Sequence, residues 1–326
     1  MKKPLLIYAA LTGSKYSKES NQHAPQGVPT IPYSYEEALE DAKECYRLGA
    51  RLIHVHSRGN NGEHLMDTKW YSKFGQQIRK LYPDISLCFA TSRTGHVAKQ
   101  IGKRLQALLN SGMPEMEAFI NAEFERIAYL ETDNITSLPD YITAFTATEV
   151  KMLDNTLETG HVNDVESPEK TRQFFETLIS ETNKRGIKQE IEITTLNSLD
   201  LIEKTEYSTH WGQKPSIVFL PGFTKFFPFS TETLDNMILR AKRWLDQIGG
   251  GLITLGRVLS HNDDSISARQ EYIKYSLHNP HINAIRVGIE DSPFWGNQIL
   301  SNPQLVLQTA QLIKEYGGDI NLNPKL

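Results

Sequence analysis

Two histidines one residue apart stand in a short apolar run, Arg51-Leu52-Ile53-His54-Val55-His56-Ser57. Side chains alternate between the faces of a strand, so His54 and His56 share one face while Ile53 and Val55 take the other. Imidazoles held together at the end of a strand suit a borderline-soft divalent cation such as zinc, and one added carboxylate leaves a coordination position open for substrate. Hydrogen bonds alone can also satisfy such a pair. The carboxylate is offered by a second run, Ile285-Arg286-Val287-Gly288-Ile289-Glu290-Asp291-Ser292. Alternation puts Arg286, Gly288 and Glu290 on one side, with Asp291 just past the strand end where the backbone can turn it inward. One of these two carboxylates, Glu290 or Asp291, can then bind metal while its neighbour acts as a base. The Arg286 guanidinium can favour the ionised form of Asp291 or clamp a substrate carboxylate. A competing reading takes Asp291-Ser292-Pro293 as a helix start.

Bringing these runs together requires a particular order of elements. Apolar runs read as strands over Leu5–Leu11, Arg51–Ser57, Ile85–Thr91, Tyr141–Ala147, Lys188–Thr194, Ser216–Leu220, Leu252–Gly256 and Ile282–Ile289. Helical patterns alternate with them over Ser34–Leu48, Thr68–Leu81, Pro168–Arg185, Asn197–Lys204, Thr231–Ile248, Ser265–Leu277 and Pro303–Tyr316. Ser34 with Glu37 forms a capping box, and Gly49 stops that first helix. Such alternation predicts a closed (β/α)8 TIM barrel, of the α/β class, rather than an open sheet with a Gly-rich first turn. Closure sets the last strand beside the first, and so brings Glu290 within reach of the histidines. Helical stretches at Lys103–Leu109 and Pro114–Leu130 exceed one connection, so residues 1–326 are read as a single domain with an insertion at about residues 94–139.

The 326 residues are 39% hydrophobic and 23% charged with a formal net charge of −4, a globular composition without the basic field that nucleic acid requires. The two cysteines, Cys45 and Cys88, lie in apolar patterns and favour a reducing compartment over a disulfide framework. The apolar run at the N-terminus is too short for a signal segment, and no run is long enough to span a bilayer. A cytoplasmic enzyme acting on small molecules is expected.

The motifs together resemble the β-keto acid cleavage enzyme family, whose founding activity cleaves 3-keto-5-aminohexanoate. The resemblance rests on Ala10-Leu11-Thr12-Gly13, Pro29-Thr30-Ile31-Pro32, Gly49 to Arg58, Glu190-Ile191-Glu192, Leu255-Gly256-Arg257 and Ile285 to Asp291. It implies a zinc-dependent barrel, usually a homo-oligomer (dimer or tetramer), that exchanges acyl groups between a β-keto acid and acetyl-CoA. The family's zinc ligands fall on His54, His56 and Glu290, its base on Asp291 and the assisting arginine on Arg286. A substrate-contacting hydroxyl falls on Thr143, and Thr91, Lys15 and Arg257 complete the expected substrate contacts.

Three departures cluster at substrate and CoA positions. Lys15 follows Thr12-Gly13-Ser14 where the family carries a glutamate, which implies a substrate with an extra negative group; a plain exposed lysine is the alternative. Ala90-Thr91-Ser92-Arg93 lacks the family's glycines, and Pro221 to Pro228 replaces a Gly-rich turn. Phe223, Phe226 and Phe227 in that turn line a pocket or pack the rim. Ser260, His261 and Asp263 are sequence neighbours, unlike a triad assembled from distant segments. Asn134-Ile135-Thr136 matches a glycosylation acceptor only by chance. Two other readings stand beside this one: a metal-dependent aldolase or hydrolase that uses the same histidines without CoA, and a catalytically inactive small-molecule binding homologue, for which the altered positions 15, 90 and 93 argue.

Overall fold

The computed structural model describes residues 2–13, 31–92, 96–132, 134–144, 168–196, 199, 214–223, 227–259 and 265–323. Eight parallel strands close into a ring: β1 (Pro4–Ala10), β2 (Ala50–Val55), β3 (Ser86–Phe89), β4 (Tyr141–Ala144), β5 (Lys188–Ile193), β6 (Ser216–Phe219), β7 (Leu252–Leu255) and β8 (Ala284–Val287). Each pairs with the next, and β8 returns to β1 through Leu6↔Ala284 to Ala9↔Val287. The expected TIM barrel is therefore the fold. Around the barrel run α1 (Tyr35–Arg47), α2 (Thr68–Leu81), α3 (His96–Asn110), α4 (Glu115–Glu123), α5 (Pro168–Lys184), α6 (Thr231–Gln247), α7 (Ser265–His278) and α8 (Asn302–Glu315). The capping box of Ser34 and Glu37 opens α1, and Gly49, with φ +114°, follows its end in the left-handed conformation.

Strand alternation separates two cores. Ile7, Ala9, Ile53, Val55, Leu87 and Phe89 face the helices, while Leu6, Tyr8, Leu52, Cys88, Tyr141, Val218 and Leu252 fill the barrel interior. The same period turns His54, Thr143, Glu190 and Arg286 inward.

Between β3 and β4, α3 begins at His96 rather than Lys103, and the stretch expected as one helix over Pro114–Leu130 divides into α4 and a 3₁₀ segment, Phe124–Leu130. The tighter winding buries Ile127, Tyr129 and Leu130 and lets Arg126 donate to the Thr91 carbonyl at 2.6 Å. The helix expected over Asn197–Lys204 lies outside the described residues except Leu199, as do positions 145–147 of the fourth strand. Two-residue strands carry no periodicity, and three escaped the sequence reading: the hairpin β9 (Phe294–Trp295) and β10 (Gln298–Ile299), and β11 (Asp319–Ile320), which pairs with Pro4 and Leu5. Among the described residues, no helix is long and apolar enough to cross a membrane.

A polar strut behind the site yields a stability prediction. Fully buried Asn302 accepts from the Ile289 N–H at 2.8 Å and donates to Asp41 at 2.8 Å. Burial pushes the Asp41 carboxyl up to about 6, and the Asn302 hydrogen bond only partly opposes it. The folded chain therefore holds this proton more tightly than the unfolded one. Its contribution is present in full below pH 4 and fades as pH rises through about 6. Asp41→Asn keeps an acceptor for Asn302 and removes the buried charge. It should stabilise the protein by about 1 kcal/mol at pH 8, after discounting for partial exposure, and by nothing near pH 4. Denaturant melts at the two pH values measure this; equal stability at pH 8 would refute it.

Candidate active site

The C-terminal ends of β1, β2 and β8 meet at the barrel mouth. His54 sits within β2, opposite Ala10 of β1, and His56 lies just past its end. Beyond β8, Gly288 passes so close to Ala10 that a Cβ there would collide with its carbonyl oxygen. That approach lets the Glu290 N–H donate to Leu11 O at 3.2 Å and aims the carboxylate at the histidines. Gly13 makes room, since a Cβ at that position would lie 2.7 Å from Glu290 Cγ.

The side chains converge. His54 Nε2 and His56 Nε2 are 3.0 Å apart, and they stand 3.3 and 3.2 Å from the two Glu290 carboxylate oxygens. Ligand atoms around a tetrahedral zinc, with bonds of about 2.0–2.1 Å, lie about 3.3 Å from one another. Spacing and donor types therefore fit a zinc-like cation. Burial would push the Glu290 carboxyl up, but His54, His56 and Arg286 outweigh it and hold it well below the usual carboxylate range. Burial likewise disfavours charge on both imidazoles. Glu290 overcomes this at His54, which is raised, but not at His56, pushed down to about 4.

Arg286 is buried among four carboxylates. Its guanidinium lies 3.2 Å from Asp291, 3.3 Å from Glu290, 3.0 Å from Glu192 and 3.7 Å from Glu190. One cation among so many acids leaves an excess of negative charge that a divalent ion would offset. Burial pushes the Asp291 carboxyl up to about 6 against the pull of Arg286, so it binds a proton more readily than an ordinary aspartate. Asp291 caps no helix: Ser292 N–H returns to Gly288 O, the β9–β10 hairpin follows, and Ser301 caps α8. The helix-start alternative is thereby corrected, because Arg286 draws the carboxylate into the mouth.

Thr91 and Thr143 lie side by side. Thr143 Oγ1 accepts from Thr91 N at 2.9 Å, and Thr91 Oγ1 donates to Thr143 O at 2.6 Å. Arg257 instead packs its guanidinium 4.2 Å from the Phe229 ring centre and pairs with Glu271 of α7 at 2.7 Å. Lys15, Arg93, Phe226, Ser260, His261 and Asp263 lie outside the described residues. Phe227 is fully buried, and Phe223 packs on the interior core.

Sequence reasoning marked Glu190 in a motif but did not bring it together with Tyr8 and Cys88 in the layer beneath. Tyr8 donates to Glu190 at 2.8 Å, and His54, Cys88 and Glu190 form a second cluster with donor atoms within 4.8 Å of one another. Burial pushes the Cys88 thiol well above its usual range, and Arg286 already supplies positive charge there, so this layer is a hydrogen-bonded floor. Tyr8 and Cys88 read as core residues because an inward position in a barrel carries the same period as a packed core. His64, whose ring centre lies 4.3 Å from that of His56, gave no periodic signal.

Comparison with known proteins gives the family. A family model for the beta-keto acid cleavage enzyme matches residues 4–323. The chain is 26% identical over 317 residues to the 3-keto-5-aminohexanoate cleavage enzyme of Acetoanaerobium sticklandii, covering 96% of this chain and 93% of that one. To the enzyme of the same name from Fusobacterium nucleatum it is 34% identical over 85 residues, 26% of this chain and 29% of that enzyme. It is 22% identical over 321 residues to the 3-oxoadipate:acetyl-CoA acetyltransferase of Cupriavidus necator, covering 97% and 91%. Among solved structures, ObcA in binary complex with oxaloacetate shares the fold, with a TM-score of 0.63 at 13% identity, over 90% of this chain and 66% of that one. Because the family match spans every strand that contributes a site residue, the chain belongs to the beta-keto acid cleavage enzyme family.

Proposed function

We propose that this chain exchanges acyl groups between a β-keto acid and acetyl-CoA, with His54, His56 and Glu290 holding a divalent cation, zinc in the first instance. The observation that carries the reading is the convergence of two imidazole nitrogens and a carboxylate within 3.0–3.3 Å, beside an aspartate gripped by an arginine. A cation there supplies Lewis acidity toward the ketone and carboxylate of the substrate. Asp291 accepts the proton lost from the carbon between those groups, and Arg286 steadies its carboxylate. Thr143 Oγ1 accepts from the Thr91 N–H and lies 3.2 Å from Thr91 Oγ1, so a substrate oxygen would meet Thr143 by taking over the proton it shares with Thr91. The carbanion forms a carbon–carbon bond with the thioester carbonyl, displacing CoA thiolate. That thiolate attacks the original ketone, and retro-Claisen cleavage releases a new acyl-CoA and the acetoacetate carbanion, which takes the proton back from Asp291. We place the enzyme in the cytoplasm as a homo-oligomer.

A screen of β-keto acids on zinc-loaded protein, with and without acetyl-CoA, tests the reading. New acyl-CoA together with acetoacetate supports it. Turnover without CoA would instead point to an aldolase or hydrolase on the same barrel. A protein that retains no zinc through mild purification and turns nothing over is a binding homologue; the residues at positions 15, 90 and 93 are the argument for that reading. Within the screen, Lys15→Glu is expected to shift preference away from β-keto acids carrying a second anionic group and to leave zinc content unchanged. An identical substrate profile would remove Lys15 from the substrate contacts.

A further inference from the structure

Immediately after the histidine pair the chain builds a small locked loop. It turns at Gly62, φ +73°, and comes back alongside itself through an antiparallel bridge between Arg58 and His64. Gly59 N donates to Glu63 O at 2.9 Å, Leu65 N to Ser57 O at 3.3 Å, and the Ser57 hydroxyl to Leu65 O. Arg58 reaches from inside the loop to the carbonyls of Gly62, Thr12 and Gly13. The result delivers His64, 3% exposed, edge-on against His56, with ring centres 4.3 Å apart and planes at 76°.

His56 Nδ1 and both ring nitrogens of His64 are buried without a hydrogen-bond partner. A buried polar group left unmatched costs about 1–3 kcal/mol, so three in one contact call for a pairing. A histidine that binds metal through Nε2 carries its proton on Nδ1, and that proton needs an acceptor to fix the tautomer and the ring plane. Arg58 can only donate, and Glu290 is already engaged with His56 Nε2 at 3.2 Å. We propose that His64 is the positioning residue of His56: its ring accepts the Nδ1 proton, directly or across one water, and holds Nε2 toward the ligand triangle. The proposal rests on the reading of His54, His56 and Glu290 as metal ligands.

The test uses full-length protein stripped of metal and titrated with zinc against a chromogenic chelator, with the melting temperature of each metal-free protein as a second readout. His64→Phe keeps a buried ring and removes both nitrogens. It should weaken zinc binding about 10–100-fold while leaving the metal-free melting temperature nearly unchanged. His64→Gln restores a donor and an acceptor and should recover most of the loss. If His64→Phe binds zinc as tightly as the native protein, the ring is packing only and the proposal is overturned. Equal losses in both variants, with parallel falls in melting temperature, overturn it too. Native protein that binds no zinc removes the metal reading itself, an outcome visible before any variant is made.

Discussion

His54→Ala should abolish zinc binding and acyl exchange together. The native protein is expected to bind one cation per chain, and the variant to lose at least about 100-fold in affinity, with activity falling below detection. The effect is large because His54 lies at the meeting point of every other group in the mouth. Its Nε2 is 3.0 Å from His56 and 3.3 Å from Glu290, and its ring stands edge-on to Tyr8. Truncation removes one ligand, opens a fully enclosed hole and leaves Glu290 with less compensation for its buried charge. Since such a variant can also lose stability, His54→Asn is the companion: it refills part of the volume but cannot reach the same point. Metal stoichiometry on folded protein decides the matter. If both variants fold, retain zinc and keep activity, the metal does not sit on this triangle.

The residues that were legible in the sequence are those whose position follows from a period or from closure. Ile53 and Val55 flank the histidines in β2, and the alternation that buries them against the helices turns His54 and His56 inward. Glu290 followed from closure, since a barrel must return its last strand to its first, and Gly288 against Ala10 is where that happens. Arg257 was expected among the substrate contacts only through the family resemblance, and its side chain packs on Phe229 and pairs with Glu271 of α7. Packing chose the rotamer, and no pattern along the chain encodes it. His64 was illegible for the converse reason: a bridge of one residue pair places it, and a loop residue announces neither burial nor partner. The floor of Tyr8, Cys88 and Glu190 was half visible. Alternation of Glu190 and Glu192 marked the strand, but only the register across β1, β3 and β5 brings those side chains together.

Asp291→Asn should separate chemistry from metal. Asparagine has nearly the same shape, and its carbonyl oxygen can still accept from Arg286 Nε, which now lies 3.2 and 3.3 Å from the two Asp291 oxygens. The ligand triangle does not include this residue, so zinc stoichiometry should stay at the native value. What disappears is the only one of the four carboxylates around Arg286 that is neither a proposed ligand nor on β5. A general base contributes about 10²–10⁴-fold, and kcat is expected to fall by that factor with little change in KM. Exchange of the substrate's acidic hydrogen with deuterated solvent, followed without acetyl-CoA, isolates the first step. It should slow by the same factor, because proton removal precedes any attack on the thioester. Two outcomes would sink the assignment: a variant with full kcat, or one that exchanges the hydrogen at the native rate and fails only when acetyl-CoA is added. In the second case Asp291 would serve the later carbon–carbon steps, and the proton would have to leave through another of the acids around Arg286, with Glu192, 3.0 Å from the guanidinium, the nearest to test.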